Sequence, residues 1–280
     1  MRRLPRFLIG FLLVLGATQA LAQSTAYTEV FYPSGIFRIQ AYLYRPSGDG
    51  PFPLIIYNHG SRAGHEHESL PFSYIGNLML QNRCAVLVPE RRGYGRSDGS
   101  TSTDEVGQDR GPRFVARMQA ETDDVLAASD FVKTLPFVDQ GHIGIMGWSF
   151  GGIVTMFAAS RSGAFRAVVN QAGGALVWDF SPALREAMLE AARRVRTATL
   201  LMVAQNDRTT ASITALAPAL REQNPATEVI IYPPFFPTRN PGGNPPCHVL
   251  FSDQGTAIWE NDVRAFFAKH LGRDISGERR

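Results

Sequence analysis

A serine held between glycines is the first arrangement in this chain that could do chemistry: Gly147-Trp148-Ser149-Phe150-Gly151 reads as G-x-S-x-G. An apolar run, Ile143 to Met146, leads into it, and a helix-like run, Ile153 to Phe157, leads away. A serine hydroxyl attacks a carbonyl only when it stands clear of its sheet, which a sharp strand-to-helix turn in a strained backbone achieves. Glycines at 147, 151 and 152 remove the Cβ atoms that would collide across such a turn. A glycine-rich corner with an incidental serine has the same composition, so the partners of Ser149 decide between the two. A reactive serine needs a base to take its proton, and that base needs a carboxylate to orient it.

The elements that must hold these groups alternate between strands and helices. The runs Thr28 to Tyr32 and Phe37 to Tyr44, broken by Pro33-Ser34-Gly35, predict an antiparallel hairpin. Mostly apolar runs at Leu54 to Tyr57, Ala85 to Val88, Ile143 to Met146, Ala167 to Val169, Thr199 to Ala204 and Glu228 to Tyr232 predict buried parallel strands. Helices are predicted over Leu70 to Gln81, Ala116 to Leu135, Ile153 to Arg161, Pro182 to Arg193, Ala211 to Gln223 and Gly255 to Leu271. Strands interleaved with helices predict one α/β domain over residues 23–280, a mostly parallel eight-stranded sheet with helices on both faces. The irregular stretches Gly93 to Arg113 and Pro233 to Pro246 belong on the active-site side of that sheet.

At 280 residues, 44% of them hydrophobic and 19% charged, the chain can bury a single core of ordinary enzyme type. Removing Arg2, Arg3 and Arg6 from the formal charge of +3 leaves about zero, so the basic balance implies no nucleic-acid partner. Those arginines precede an apolar stretch from Phe7 to about Ala17 and small residues at Ala20 and Ala22. The pattern is that of a secretory signal over residues 1–22. The apolar run is shorter than the ~20 residues of a spanning helix, so no stable membrane anchor is expected after cleavage, and a periplasmic or secreted location is. Cys84 opens a predicted strand while Cys247 is expected beyond the strands' opposite ends, which predicts two free thiols.

From the strand end Tyr57-Asn58-His59-Gly60-Ser61 through Gly147 to Gly152, Asp207 and His248, nearly the whole chain after the signal resembles the α/β-hydrolase superfamily. It is most similar to the dienelactone-hydrolase-like serine esterase branch. Ser149 stands where dienelactone hydrolases proper have cysteine, which points to ester cleavage. The resemblance implies the chain order serine, acid, histidine. Only His248 and His270 follow Ser149. His270 falls in the polar tail of the last helix, so His248, in the loop after the last strand, is the expected base. Asp207 follows the run Thr199 to Ala204 and is the expected acid, its alternative role being to cap the helical segment after Thr209; Asp179 is the alternative acid. An oxyanion needs two fixed N–H donors. One is expected from the Phe150 amide and, as in similar families, the other from Ser61, the residue after His59-Gly60. His59 itself is expected to brace that loop.

Three further groups of residues invite functional readings. His65-Glu66-His67-Glu68 lacks the H-E-x-x-H spacing, and its two histidines would face differently on a helix, so no metal site is expected. In Arg91-Arg92-Gly93-Tyr94-Gly95-Arg96-Ser97 the arginines are expected to pair with Asp98 or Asp104. Tyr94, Trp148 and Trp178, with Phe150, are the candidate pocket walls, against the alternative that they are core. The whole predicts a serine carboxylesterase that needs no cofactor and cleaves small-molecule esters of short acyl groups. The same chemistry fits a peptidase resembling the prolyl oligopeptidase catalytic domain, although such enzymes usually carry a large additional domain not expected here. A non-catalytic secreted binding protein on a hydrolase fold would not require Ser149, Asp207 and His248 together.

Overall fold

Alternating hydrophobicity folds the first two strands onto each other. In the computed structural model, which describes residues 27–240 and 244–271, β1 (Thr28–Ser34) pairs antiparallel with β2 (Phe37–Tyr44). Gly35 makes the turn at φ 57, a left-handed conformation that glycine adopts at little cost. The apolar runs that follow become β3 (Phe52–Asn58), β4 (Ala85–Pro89) and β7 (Ala198–Ala204), all of whose residues are buried. With β5 (Val138–Trp148), β6 (Phe165–Gln171) and β8 (Glu228–Tyr232) they form one eight-stranded sheet in the order β1-β2-β4-β3-β5-β6-β7-β8. Only the first two pairings are antiparallel; β4 to β3 and onward to β8 are parallel. The expected signal segment, residues 1–22, lies outside the described residues. No helix among those described is long and apolar enough to cross a membrane.

The crossover helices cover both faces. On one, α3 (Pro112–Lys133), α4 (Phe150–Arg161) and α5 (Pro182–Ala192) pack against one another. On the other, α1 (Ser73–Gln81) meets α8 (Thr256–Leu271), with Arg264 donating to Gln81 Oε1 at 2.7 Å. Two short helices, α2 (Ser102–Val106) and α6 (Ala211–Thr214), with α7 (Ala217–Gln223), complete the set. Two predicted helices are corrected. The one expected from Leu70 starts at Ser73, because Pro71 biases Leu70 away from helical backbone and Phe72 sits at φ 50. The one expected over Ala211 to Gln223 is two pieces, because Pro218 lacks the N–H that would continue the first. α2 lies in the stretch expected to be irregular.

Cys84 and Cys247 are free and buried at opposite ends of the sheet. Burial pushes the Cys84 thiol up to about 12 and that of Cys247 to about 11, with Asp207 adding to the latter, so both stay protonated at neutral pH.

The last helix, α8, is fastened by one large side chain. Trp259 on α8 is fully buried and donates its Nε1–H to the Leu250 carbonyl at 3.0 Å, within the 3₁₀ segment Pro246–Phe251. Truncating a buried tryptophan costs both its transfer energy and the cavity it leaves. Trp259→Ala is expected to lower stability by about 3–5 kcal/mol, read as a shifted urea midpoint at unchanged slope.

Candidate active site

Ser149 sits at the point where β5 becomes α4, with φ 59 and ψ −118, a conformation that L side chains rarely adopt. Its amide still pairs with the Gln171 carbonyl of β6 at 2.9 Å, so the sheet holds the turn up to the serine itself. The neighbouring glycines are there because no Cβ fits. One added at Gly147 would lie 2.2 Å from the Gly151 carbonyl oxygen, and one at Gly151 would lie 1.9 Å from that of Asn58. The first turn of α4 therefore rests directly on the end of β3.

From this turn Ser149 Oγ lies 2.9 Å from His248 Nε2, and His248 Nδ1 lies 2.9 Å from Asp207 Oδ2 and 3.2 Å from Oδ1. All three are buried, and Asp207 also accepts the Arg208 amide at 2.7 Å. The Nδ1–H donated to a carboxylate leaves Nε2 free to accept the serine proton, the tautomer a general base requires. Three elements meet here: the elbow, the turn after β7, and the 3₁₀ segment Pro246–Phe251 that replaces the expected loop around His248. Asp179, the alternative acid, lies exposed on the short turn Trp178–Phe180 and is not joined to His248.

The His59 loop passes over Ser149, since a Cβ at Gly60 would come within 3.2 Å of the Ser149 Cβ. Among the described residues, no protein acceptor occupies the amide of Ser61 or that of Phe150. Phe150 is the first residue of α4, where helical N–H groups point outward unpaired. The two amides are thus available as donors to an oxygen that becomes negative near Ser149.

The candidate pocket residues separate. Trp148 is half-buried, its ring 5.7 Å from that of His248, and its Nε1–H donates to the His248 carbonyl at 3.0 Å. Trp178 and Tyr94 are corrected to core. Trp178 is 4% exposed, and the aromatic its turn shows to solvent is Phe180, with Arg208 stacked over it at 5.6 Å. Tyr94 is fully buried between the guanidinium groups of Arg62 and Arg91. The arginine pairings are corrected too. Arg91 binds Glu121 at 2.8 Å and Arg92 binds Asp124 at 2.8 Å, both carboxylates belonging to α3. At His65, Nδ1 lies 2.7 Å from Glu68 on the exposed surface, and the described residues hold no cluster of three metal-ligating side chains.

Sequence reasoning missed two supports. Asn206 clamps the stretch after β8, accepting the Phe235 amide at 3.0 Å and donating to its carbonyl at 3.1 Å, while its own carbonyl meets the Cys247 thiol. Its signal was its place beside Asp207. The other support is the ionic cluster below the His59 loop, whose signal was the pair of acids three apart, Glu121 and Asp124, in a helix facing a core.

Burial, with Arg91 and Arg62 close by, pushes the His59 imidazole well below its ordinary 6.5, so the ring stays neutral. It stacks on Phe72, meets Tyr94 edge-on, and holds the Gly60 carbonyl through Nδ1 at 2.7 Å. Burial pushes the neighbouring Glu90 up, against the pull of Arg62. The unfolded chain protonates His59 near 6.5 and the folded one does not, so this contribution to stability is complete above that pH and falls below it. Lowering the pH from 7 to 5 is expected to lower the urea midpoint by more in the wild type than in His59→Gln. The difference isolates His59 from Glu90, whose raised value acts in the opposite sense.

Comparison with known proteins agrees with this architecture. Residues 116–183, spanning most of α3 and the elbow, match the model of the prolyl oligopeptidase family. The quorum-quenching protein AidA of Acinetobacter baumannii is 26% identical over 143 residues, 51% of this chain and 42% of that protein. The chain thus aligns with less than half the length of that relative. Among solved structures, the Pyrococcus furiosus esterase Pf2001 superposes with a TM-score of 0.64 at 16% identity, covering 89% of this chain and 92% of the other. The acylaminoacyl peptidase of Pyrococcus horikoshii gives a TM-score of 0.63 at 16% identity, covering 90% of this chain and 44% of that one. These matches do not single out the dienelactone-hydrolase-like branch. The strand order, the serine elbow and the structural neighbours together identify the chain as an α/β-hydrolase fold.

Proposed function

We propose that this protein is an exported serine hydrolase that cleaves carboxylic esters of short acyl groups through an acyl-enzyme. The reading is carried by the relay of Ser149, His248 and Asp207, with 2.9 Å at each link. As Ser149 Oγ bonds to the carbonyl carbon, His248 Nε2 takes its proton, and Asp207 stabilises the imidazolium. The carbonyl oxygen becomes negative and accepts from the Ser61 and Phe150 amides. Collapse breaks the bond to the alcohol oxygen, which takes the proton from His248. A water molecule, deprotonated by His248, then releases the acid and restores Ser149.

Two features favour esters with small acyl groups. Between β6 and α5, residues 172–181 supply only a short turn as cover, and the half-buried Trp148 is the large aromatic flanking His248. A shallow site holds a small acyl group but buries too little of a long chain to select for it. An amide demands protonation of a poor leaving group and tighter positioning. The match of residues 116–183 to the prolyl oligopeptidase family favours a second reading, a peptidase using the same relay.

Ser149→Ala and His248→Ala are each expected to abolish turnover without unfolding the protein, and a fluorophosphonate is expected to label Ser149. Esters from acetyl to butyryl are expected to exceed prolyl or aminoacyl amides by at least about a hundredfold in kcat/KM, roughly 2.7 kcal/mol in barrier. Comparing p-nitrophenyl esters with p-nitroanilides checks this; a preference for the anilides would establish the peptidase reading instead.

A further inference from the structure

The relay leaves unexplained why so many charges lie beneath the His59 loop. Arg91 is fully buried, its Nε–H donating to Glu121 Oε2 at 2.8 Å and its Nη2–H to the His59 carbonyl at 3.0 Å. A buried ion pair stabilises a fold little compared with apolar side chains of the same shape, so stability alone is a weak reason for its presence. What it does have is direction. Glu121 is itself fixed by Arg117 Nε at 2.9 Å, and Arg117 reaches the carbonyls of Ser100 at 3.0 Å and Arg92 at 2.8 Å. The Arg91 guanidinium stands 5.4 Å over the Tyr94 ring, and the Arg91 backbone is at φ 39, so neither end of the side chain is free to drift.

The carbonyl that Arg91 grips adjoins both chain segments that carry the expected donors. The peptide after it carries the Ser61 amide. On its other side is the first turn of α4, where a Cβ at Gly151 would come within 2.6 Å of the His59 oxygen. That turn carries the Phe150 amide. The His59 carbonyl thus lies against the element of one donor and is held by Arg91 next to the peptide of the other.

Resting on the serine-hydrolase reading above, we propose that Arg91 is a positioning residue of the oxyanion site: through the His59 carbonyl it holds the Ser61 amide at the spacing from Phe150 that the tetrahedral intermediate requires. Arg91 touches no substrate. Its influence is therefore confined to the charged intermediate, and ground-state binding and the protonation of His248 are left alone.

The test is Arg91→Met with p-nitrophenyl acetate, checked for native near-ultraviolet circular dichroism. The kcat is expected to fall by at least about tenfold with KM held within about threefold. Affinity for a short-acyl trifluoromethyl ketone, which adds to Ser149 Oγ and places a negative oxygen between the two amides, is expected to fall by the same factor. The acid limb of the pH–rate profile is expected to stay in place, and Arg91→Lys, which can reach one partner but not both, to recover part of the loss. An unchanged kcat and inhibitor affinity in folded Arg91→Met would overturn the proposal, as would a rise in KM that accounts for the lost kcat/KM. Should Arg91→Met fail to fold, Arg91→Met combined with Glu121→Gln removes both charges of that pair, while Arg117 keeps its pairing with Glu105, and is read in the same way. Turnover retained by Ser149→Ala would remove the underlying reading, whereas turnover retained by Arg91→Met alone removes only this proposal.

Discussion

The first turn of α4 meets the end of β3 with backbone against backbone, and the rest of the site depends on that contact. It is possible because residue 151 has no Cβ, and it forces the preceding residue but one, Ser149, into a positive φ. A non-glycine residue in such a conformation costs on the order of 1–3 kcal/mol and survives only where its surroundings leave no alternative. Here the surroundings are two parallel strands, β3 and β6, that pair with β5 up to Gly147 and Trp148. The sheet delivers the serine to its edge, the helix cannot move away, and the hydroxyl has only the space above the sheet to occupy.

A second layer of control comes from α3, whose interior carboxylates reach across to the strand ends. Asp124 takes two N–H groups of the Arg92 side chain at 2.8 and 3.0 Å and the Ser34 hydroxyl at 2.7 Å. The Asp124 carbonyl accepts from Tyr32 at 3.0 Å. Glu121, one turn away, serves Arg91 and Arg117. In a low-dielectric interior an unmatched charge is costly, so each of these groups must keep its partner, and the N-terminal hairpin, the turn after β4 and α3 are held in one arrangement. Alongside them, Glu90 takes Arg62 and the Leu70 amide at 2.9 Å and so ties the stretch after Ser61 to the end of β4.

His248 and Asp207 are held by smaller devices. His248 is carried on a 3₁₀ segment pinned at its carbonyl by Trp148 and two residues later by Trp259. Asp207 is flanked by Asn206, which clamps the stretch after β8, and by Arg208, which stacks on Phe180. These are a few hydrogen bonds and ring contacts between segments far apart in sequence. They set the reach of His248 toward Ser149 through packing.

The sequence by itself determined the groups and the frame. Glycines at 147, 151 and 152 around a serine, between an apolar run and a helical run, mark a tight strand-to-helix turn in the sequence, although the contact with Asn58 that leaves no room for a Cβ at 151 is made only in the fold. The eight strands were legible for a similar reason: buried parallel strands write themselves as apolar runs, although pairing with neighbours lengthened β5 well beyond Ile143 to Met146. Tertiary structure alone decided which residues serve as walls and which as core. Tyr94 stands in a glycine-rich turn and Trp178 beside Asp179 in the sequence, yet both are buried, because whether an aromatic ring faces a cleft depends on what packs above it. It also decided the partners of Arg91 and Arg92. Sequence proximity favoured Asp98 and Asp104, but α3, arriving from about thirty residues away, brings Glu121 and Asp124 to the buried side, where a charge most needs a partner.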